Sequence, residues 1–488
     1  MTTAFTFVFK QDWTLEIFQG FPPQEKSSGV ARISFVYLAL LVATMLVFFI
    51  VQQFGERLPA KSNAASPVVS GVVSTETPDL LPRALLALLV IVVTARFLGA
   101  ACERLGQPRV IGEVIAGILL GPSLFGRIAP EGMAYIFPPG LAPILGFLAQ
   151  LGVILYMFLV GLELNAGLLR SRAQATVMIS HASILVPFLL GSLLALPAFT
   201  RYAGAGVSFT SFALFLGVAM SITAFPVLAR ILTDLKLDKT ELGVIALGCA
   251  AADDLTAWCL LAFVVGIAKS DFHESIRTIL LAGAYVCFMV AIARPVIKAW
   301  LVPRKDAALS TQLSAWILVA VLGSAMITES IGIHAIFGAF LLGAVIPYDS
   351  HVAASFRHRL EDVVSVLLLP TFFAYTGTRT QIGLLSASQD WYFCLLIIGV
   401  ATAGKFGGTL VASRFTGLDW RTSASLGTLM NTRGLMELIV LNIGLDLGVI
   451  SPILFAMMVL MALVTTVATT PVLTRIMAIR AECPRHSE

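Results

Sequence analysis

The chain has 488 residues, of which 58% are hydrophobic and only 12% charged, and its mean hydropathy is +0.92. A soluble chain of this length would fold as about three domains, but this composition excludes that class and points to an all-α polytopic membrane protein whose first partner is a lipid bilayer. The net charge of +4 says little about partners, among which no nucleic acid is expected, and the six cysteines show neither metal-ligand spacing nor a disulfide framework, with no cofactor expected.

Residues 1–30 are polar and aromatic, and 32–54 give a first apolar run, predicted as an uncleaved helix. Residues 55–79, rich in Ser, Pro, Ala and Val, read as a linker, so 1–79 is an N-terminal extension added to the core. Thirteen apolar segments follow, at about 80–102, 108–126, 140–164, 174–198, 207–233, 240–268, 274–302, 310–330, 332–347, 360–384, 390–414, 422–446 and 450–478. They define a transmembrane domain over 80–478, with 479–488 as a short cytoplasmic tail. Loops after odd-numbered segments carry Arg104, Arg170, Arg172, Lys236, Lys239, Arg304, Lys305, Arg414 and Arg421, and the tail carries Arg480 and Arg485. Loops after even-numbered segments carry little beyond Arg127, Arg201, Lys269 and Arg277. Positive charge stays inside, which makes both termini cytoplasmic.

Segments one to six repeat in segments eight to thirteen. Met157 to Asn165 matches Phe373 to Gln381, with Gly161 over Gly377. Ile115 to Gly121 answers Ile336 to Gly343, and Leu216 to Thr223 answers Leu426 to Arg433. The lone seventh segment inverts the second unit, giving two inverted six-helix repeats, the pattern of alternating-access transporters with a site at the repeat interface.

The sixth segment places Ala251-Ala252-Asp253-Asp254 near its middle. An Asp at the bilayer centre costs about 2.5 to 3.5 kcal/mol, so two together need water, an ion, a proton or a counter-charge. Adjacent helical residues point about 100° apart, so Asp253 and Asp254 divide the labour, one meeting a counter-charge and the other a ligand. Segment five holds Ser221-Ile-Thr223-Ala-Phe-Pro226, where Pro226 removes a backbone donor and frees carbonyls near Ile222. Segment twelve has Asn431-Thr432-Arg433-Gly434 at similar depth, so both helices are expected to be discontinuous and to face one another. Two carboxylates side by side at low dielectric repel, and one that must lose its proton before it coordinates an alkali ion makes Na⁺ or K⁺ a competitor of H⁺, which is antiport.

Other polar groups have plainer readings. Glu437 lies one turn beyond Arg433 and suits an i,i+4 ion pair. Arg379, the lone basic group near the end of segment ten, is the candidate counter-charge for the acids, against the simpler reading of a snorkelling Arg at the outer face. Lys405 in segment eleven suits a carboxylate or a lipid headgroup equally. His181 and His334 read as packing histidines, and Glu113 and Glu163 as interfacial.

Taken in order, Gly112 to Pro122, Ser221 to Pro226, Ala251 to Asp254 and Asn431 to Gly444 resemble the monovalent cation/proton antiporters, in the branch holding bacterial Na⁺ or K⁺ exchangers, potassium efflux systems and plant cation/proton exchangers. The resemblance covers residues 80–478. It implies a homodimer in which segments four to six and eleven to thirteen move as an elevator against a static scaffold. It implies that Asp254 binds cation and proton alternately, with Thr223 and Ser221 nearby, and that Asp253 pairs with a basic residue of segment ten. Relatives often carry Lys there; the matching residue here is Arg379, which does not release a proton. The rivals are an uncoupled channel or solute sensor on the same fold, and an intramembrane aspartyl protease, which needs its two Asp on separate facing helices.

Overall fold

The computed structural model describes residues 26–59, 80–163, 173–269, 272–301, 310–347 and 350–478. The linker at 60–79, the tail at 479–488 and basic positions Arg170, Arg172, Arg304, Lys305, Arg480 and Arg485 lie outside the described residues. Each expected apolar segment is helical, and among the described residues ten helices are long and apolar enough to cross a membrane.

The first half comprises α1 (Lys26–Gly55), α2 (Leu80–Arg104), α3 (Arg109–Leu120), the short α4 (Phe125–Ile128) and α5 (Pro130–Ile136), α6 (Ala142–Glu163), α7 (Ala173–Tyr202), α8 (Phe209–Ser221), α9 (Phe225–Asp234) and α10 (Glu241–Lys269). The second comprises α11 (Phe272–Phe288), α12 (Arg294–Leu301), α13 (Thr311–Ile331), α14 (Ala335–Val345), α15 (His351–Val363), α16 (Leu369–Arg379), α17 (Ser388–Phe415), α18 (Trp420–Met430), α19 (Leu435–Asp446) and α20 (Pro452–Ala478).

Local chemistry sets several ends. Ser208, Ser310 and Ser350 accept from Ser211, Leu313 and Ala353 amides at 3.1–3.2 Å and start α8, α13 and α15. Asp419 accepts from the Arg421 and Thr422 amides to start α18, and hydrogen bonding from Thr422 holds its carboxyl below the usual range. Gly332, at φ 96°, ends α13 in the left-handed conformation.

Segments five and twelve are interrupted as expected, with extended or irregular backbone at Ile222–Ala224 and at Asn431–Gly434. Pro226 stands in the first turn of α9, where its missing N–H has no helical partner to lose. Segments seven and ten differ from their expected continuous form: each contains a π turn, Met289–Ala293 and Val364–Leu368. Segment two stops at Leu120 rather than running to 126. The N-terminal helix, expected as a mere addition, is docked on the core: Phe48 packs on Phe188 with ring centroids 5.8 Å apart, and Thr210 donates to Glu56 at 3.0 Å.

The helices sort into two bundles. In one, α2, α3, α6, α13, α14 and α16 pack among themselves; in the other, α7, α8, α10, α17, α18 and α20 do, with α9 and α19 carried by the broken segments. Close approach in the first bundle depends on missing side chains. A Cβ on Gly377 would overlap the Gly117 carbonyl, and one on Gly161 would overlap the Phe340 carbonyl and press on Gly343. We predict that Gly377→Val, which forces α16 off α3, costs about 1–3 kcal/mol or more. Thermal unfolding in detergent should show a clear drop, whereas Gly383→Val, with nothing within 4 Å of the added Cβ, should melt like the parent.

Candidate functional site

The two breaks cross. The Ala224 amide donates to the Thr432 carbonyl at 2.9 Å, and Thr223 Oγ1 lies 3.2 Å from the Met430 carbonyl, so the two interrupted segments meet through their freed backbone. Two further carbonyls are met by Arg433. Its guanidinium donates to the Ala219 and Met220 carbonyls at 3.2 and 2.6 Å, at the end of α8, and to Glu437 at 2.8 Å. Both charges of that i,i+4 pair are fully buried. Gly434 at φ 146° and ψ −126° turns the chain into α19, a conformation closed to L side chains.

Long helix α10 brings Asp253 and Asp254 to this crossing, and both are buried. Their surroundings differ sharply. Asp253 Oδ1 accepts from Ser180 Oγ at 2.6 Å, while Oδ2 accepts from Ser183 Oγ at 2.7 Å, Thr223 Oγ1 at 2.9 Å and Lys405 Nζ at 2.9 Å. The donors come from α7, the first break and α17. A buried ion pair is tolerated when hydrogen bonds also fill the remaining lone pairs, as they do here. Asp254, by contrast, has no hydrogen-bond partner on either carboxylate oxygen among the described residues. It opens on a small cavity lined by Ile222, Ala257, Leu261, Met436 and Val440.

The expected counter-charge needs correcting. Arg379 does not meet Asp253; it donates to Asp446 at 2.5 Å and Asn442 at 3.2 Å and lies over the Tyr375 ring. The reason is depth. Arg379 ends α16 at the rim with its side chain 21% exposed, whereas Lys405 sits midway along α17 and is fully buried beside Asp253. Two glycines flank that lysine. Gly404 faces Pro187 and Gly408 faces the Ala182 carbonyl, which lets α17 come close enough to α7 for the ammonium to reach.

Thr223 lies at the crossing but bonds Asp253 rather than Asp254. Ser221 turns back on its own helix, donating to the Gly217 carbonyl at 2.7 Å and to Ile184 at 3.0 Å. Asn431 is buried with its Oδ1 unpartnered, and Thr432 Oγ1 lies 3.4 Å from Thr469 Oγ1. Ser180 and Ser183 were not anticipated. Their signal is a pair of hydroxyls three apart in an apolar helix, which puts both on one face. His181 Nδ1 is 2.8 Å from the Val177 carbonyl, consistent with a packing histidine.

Residues 86–478 match the family model described as sodium/hydrogen exchanger, transmembrane. The chain is 46% identical over 395 residues to the Na⁺/H⁺ antiporter NhaS4 of Synechocystis, covering 80% of this chain and 96% of that one. It is 39% identical over 424 residues to cation/H⁺ antiporter 17 of Arabidopsis thaliana and 36% over 379 residues to K⁺/H⁺ antiporter 1 of Saccharomyces cerevisiae. These matches cover 86% and 75% of this chain, but only 51% and 43% of those longer proteins. Among solved structures, the sodium proton antiporter MjNhaP1 of Methanocaldococcus jannaschii at pH 8 has the same fold. It superposes with a TM-score of 0.62 at 14% identity, over 81% of this chain and 99% of that one.

Removing one partner of a buried pair strands the other charge. Lys405→Met should therefore cost about 3–5 kcal/mol, while Arg379→Gln, which breaks a rim pair, should cost less than about 1 kcal/mol. Thermal unfolding of the two variants in detergent checks the order; equal losses would return Arg379 to a structural role like that of Lys405.

Proposed function

This chain belongs to the sodium/hydrogen exchanger family, and from that premise we propose that it exchanges a monovalent cation, Na⁺ or K⁺, for protons by alternating access, with Asp254 holding either ligand in turn. The family consists of transporters, not enzymes; it needs no cofactor, the ions being its substrates. The protein is an integral multi-pass membrane protein.

The observation that carries the reading is the asymmetry of the two acids. Asp253 has four donors, one of them the counter-charge Lys405, while Asp254 is equally buried and has no hydrogen-bond partner among the described residues. A charged carboxylate without partners away from water is costly, so Asp254 is favoured when it carries a proton or an alkali ion. Both cannot occupy it together. Asn431 Oδ1, buried at the second break without a partner among the described residues, is a hard oxygen donor of the kind such ions take.

The rest of the proposal follows the two bundles. The bundle with α7, α8, α10 and the crossing moves, and the one with α3, α6 and α16 stays as a scaffold through which two chains form a homodimer. An inverted repeat in residues 80–478 relates segments one to six to segments eight to thirteen, so that each bundle takes three segments from either unit. It is supported by paired close contacts, since α3 meets α16 at Gly117 and Gly377 as α14 meets α6 at Gly343 and Gly161. Both termini are placed in the cytoplasm, in a bacterial inner or plasma membrane.

Asp254→Asn keeps the shape and removes the exchangeable charge. In proteoliposomes with an imposed pH gradient, the parent should dissipate the gradient on addition of Na⁺ or K⁺, and Asp254→Asn should not, while melting near the parent temperature. Flux retained by the variant would remove Asp254 from its role.

A further inference from the structure

We propose that Thr376 and Arg379 of α16 and Asn442 and Asp446 of α19 form a latch between the two bundles, which must open in every transport cycle. The inference rests on the proposed movement of one bundle against the other.

One jaw of the latch is fixed. The α16 backbone lies against α3 at Gly117, and beyond its end Ser123 Oγ donates to the Thr380 carbonyl at 2.6 Å and accepts from the Ile382 amide at 3.1 Å. Tyr375 supports the Arg379 guanidinium, whose carbon lies 5.4 Å from the ring centroid. The other jaw belongs to the crossing, since α19 runs on from Arg433 and Gly434 and packs on α20.

The two jaws match in spacing. Thr376 and Arg379 are three apart on α16, Asn442 and Asp446 four apart on α19, so each pair shares one helix face. Asn442 Nδ2 donates to Thr376 Oγ1 at 2.9 Å, Arg379 Nη1 donates to Asn442 Oδ1 at 3.2 Å, and Nη2 donates to Asp446 Oδ1 at 2.5 Å. The inner rung is shut away from solvent, Thr376 being 2% and Asn442 6% exposed, whereas the Asp446 side chain is half exposed. A buried amide deprived of its partner is penalised, so this seam holds α19 at one height along α16. Sliding by one helical turn, about 5.4 Å, parts every contact in it. None of the four residues touches Asp253 or Asp254, so the latch sets which end-state is populated without handling the ion.

The test uses the full chain in proteoliposomes. In Thr376→Cys/Asn442→Cys, copper phenanthroline should oxidise the two thiols to a disulfide, abolish exchange, and lose its effect on reduction, while parent protein treated alike keeps transporting. Failure to cross-link, or exchange that continues in the cross-linked protein, overturns the latch. As a second route, Arg379→Asp should change the ratio of cation uptake to cation release under mirrored gradients, and adding Asp446→Arg should return that ratio toward the parent value. An unchanged ratio overturns it too. A parent that exchanges no cation overturns instead the antiport reading beneath it.

Discussion

Everything at the centre of this protein depends on how one helix presents two neighbouring carboxylates to different surroundings. The turn of about 100° between adjacent residues sends Asp253 toward α7 and α17, where hydroxyls and an ammonium saturate it, and Asp254 toward a small cavity with no donor in reach. Had both been saturated, neither would have reason to exchange a ligand. Had neither been, two uncompensated charges would lie together at low dielectric. One saturated and one unpartnered carboxylate is the arrangement that the proposed exchange requires.

The broken segments solve a related problem. Interrupting a helix inside a membrane leaves backbone groups without partners, and the structure meets this with the cross-bond from Ala224 to Thr432 and with Arg433 on the end of α8. The Arg433 charge also faces a helix C-terminus, where a cation is favoured. Its own balance comes from Glu437. Arg433 and Glu437 thus balance one another in charge at the crossing, and Asp254 is left as the buried carboxylate with no hydrogen-bond partner among the described residues.

Much of this was legible in the residues. Apolar runs of spanning length predicted the long helices, though not the short α5 or most of α15, and Pro226 and Gly434 marked where two of them stop, because a missing donor and a positive φ act locally. The adjacency of Asp253 and Asp254 predicted that the two would meet different surroundings. What sequence could not decide was which distant residue meets which acid. Arg379 and Lys405 are both lone basic groups in apolar segments, and the choice turned on depth and on how near α17 comes to α7, set by Gly404 and Gly408 against that helix. The π turns in segments seven and ten do have a local signal, Pro295 and Pro370, each lacking the N–H that the turn before it would use, whereas the docking of α1 on α7 and α8 depends on a surface that its own sequence does not encode.

The most direct measurement is the apparent KM for the cation across a series of pH values in proteoliposomes. If Asp254 takes either a proton or a cation, KM rises with acidity, approaching about tenfold per pH unit where the proton occupies the site, while the maximal rate at saturating cation is held. A KM that stays constant as the maximal rate falls would mean that the two ligands bind separately, and would contradict competition at a single carboxylate.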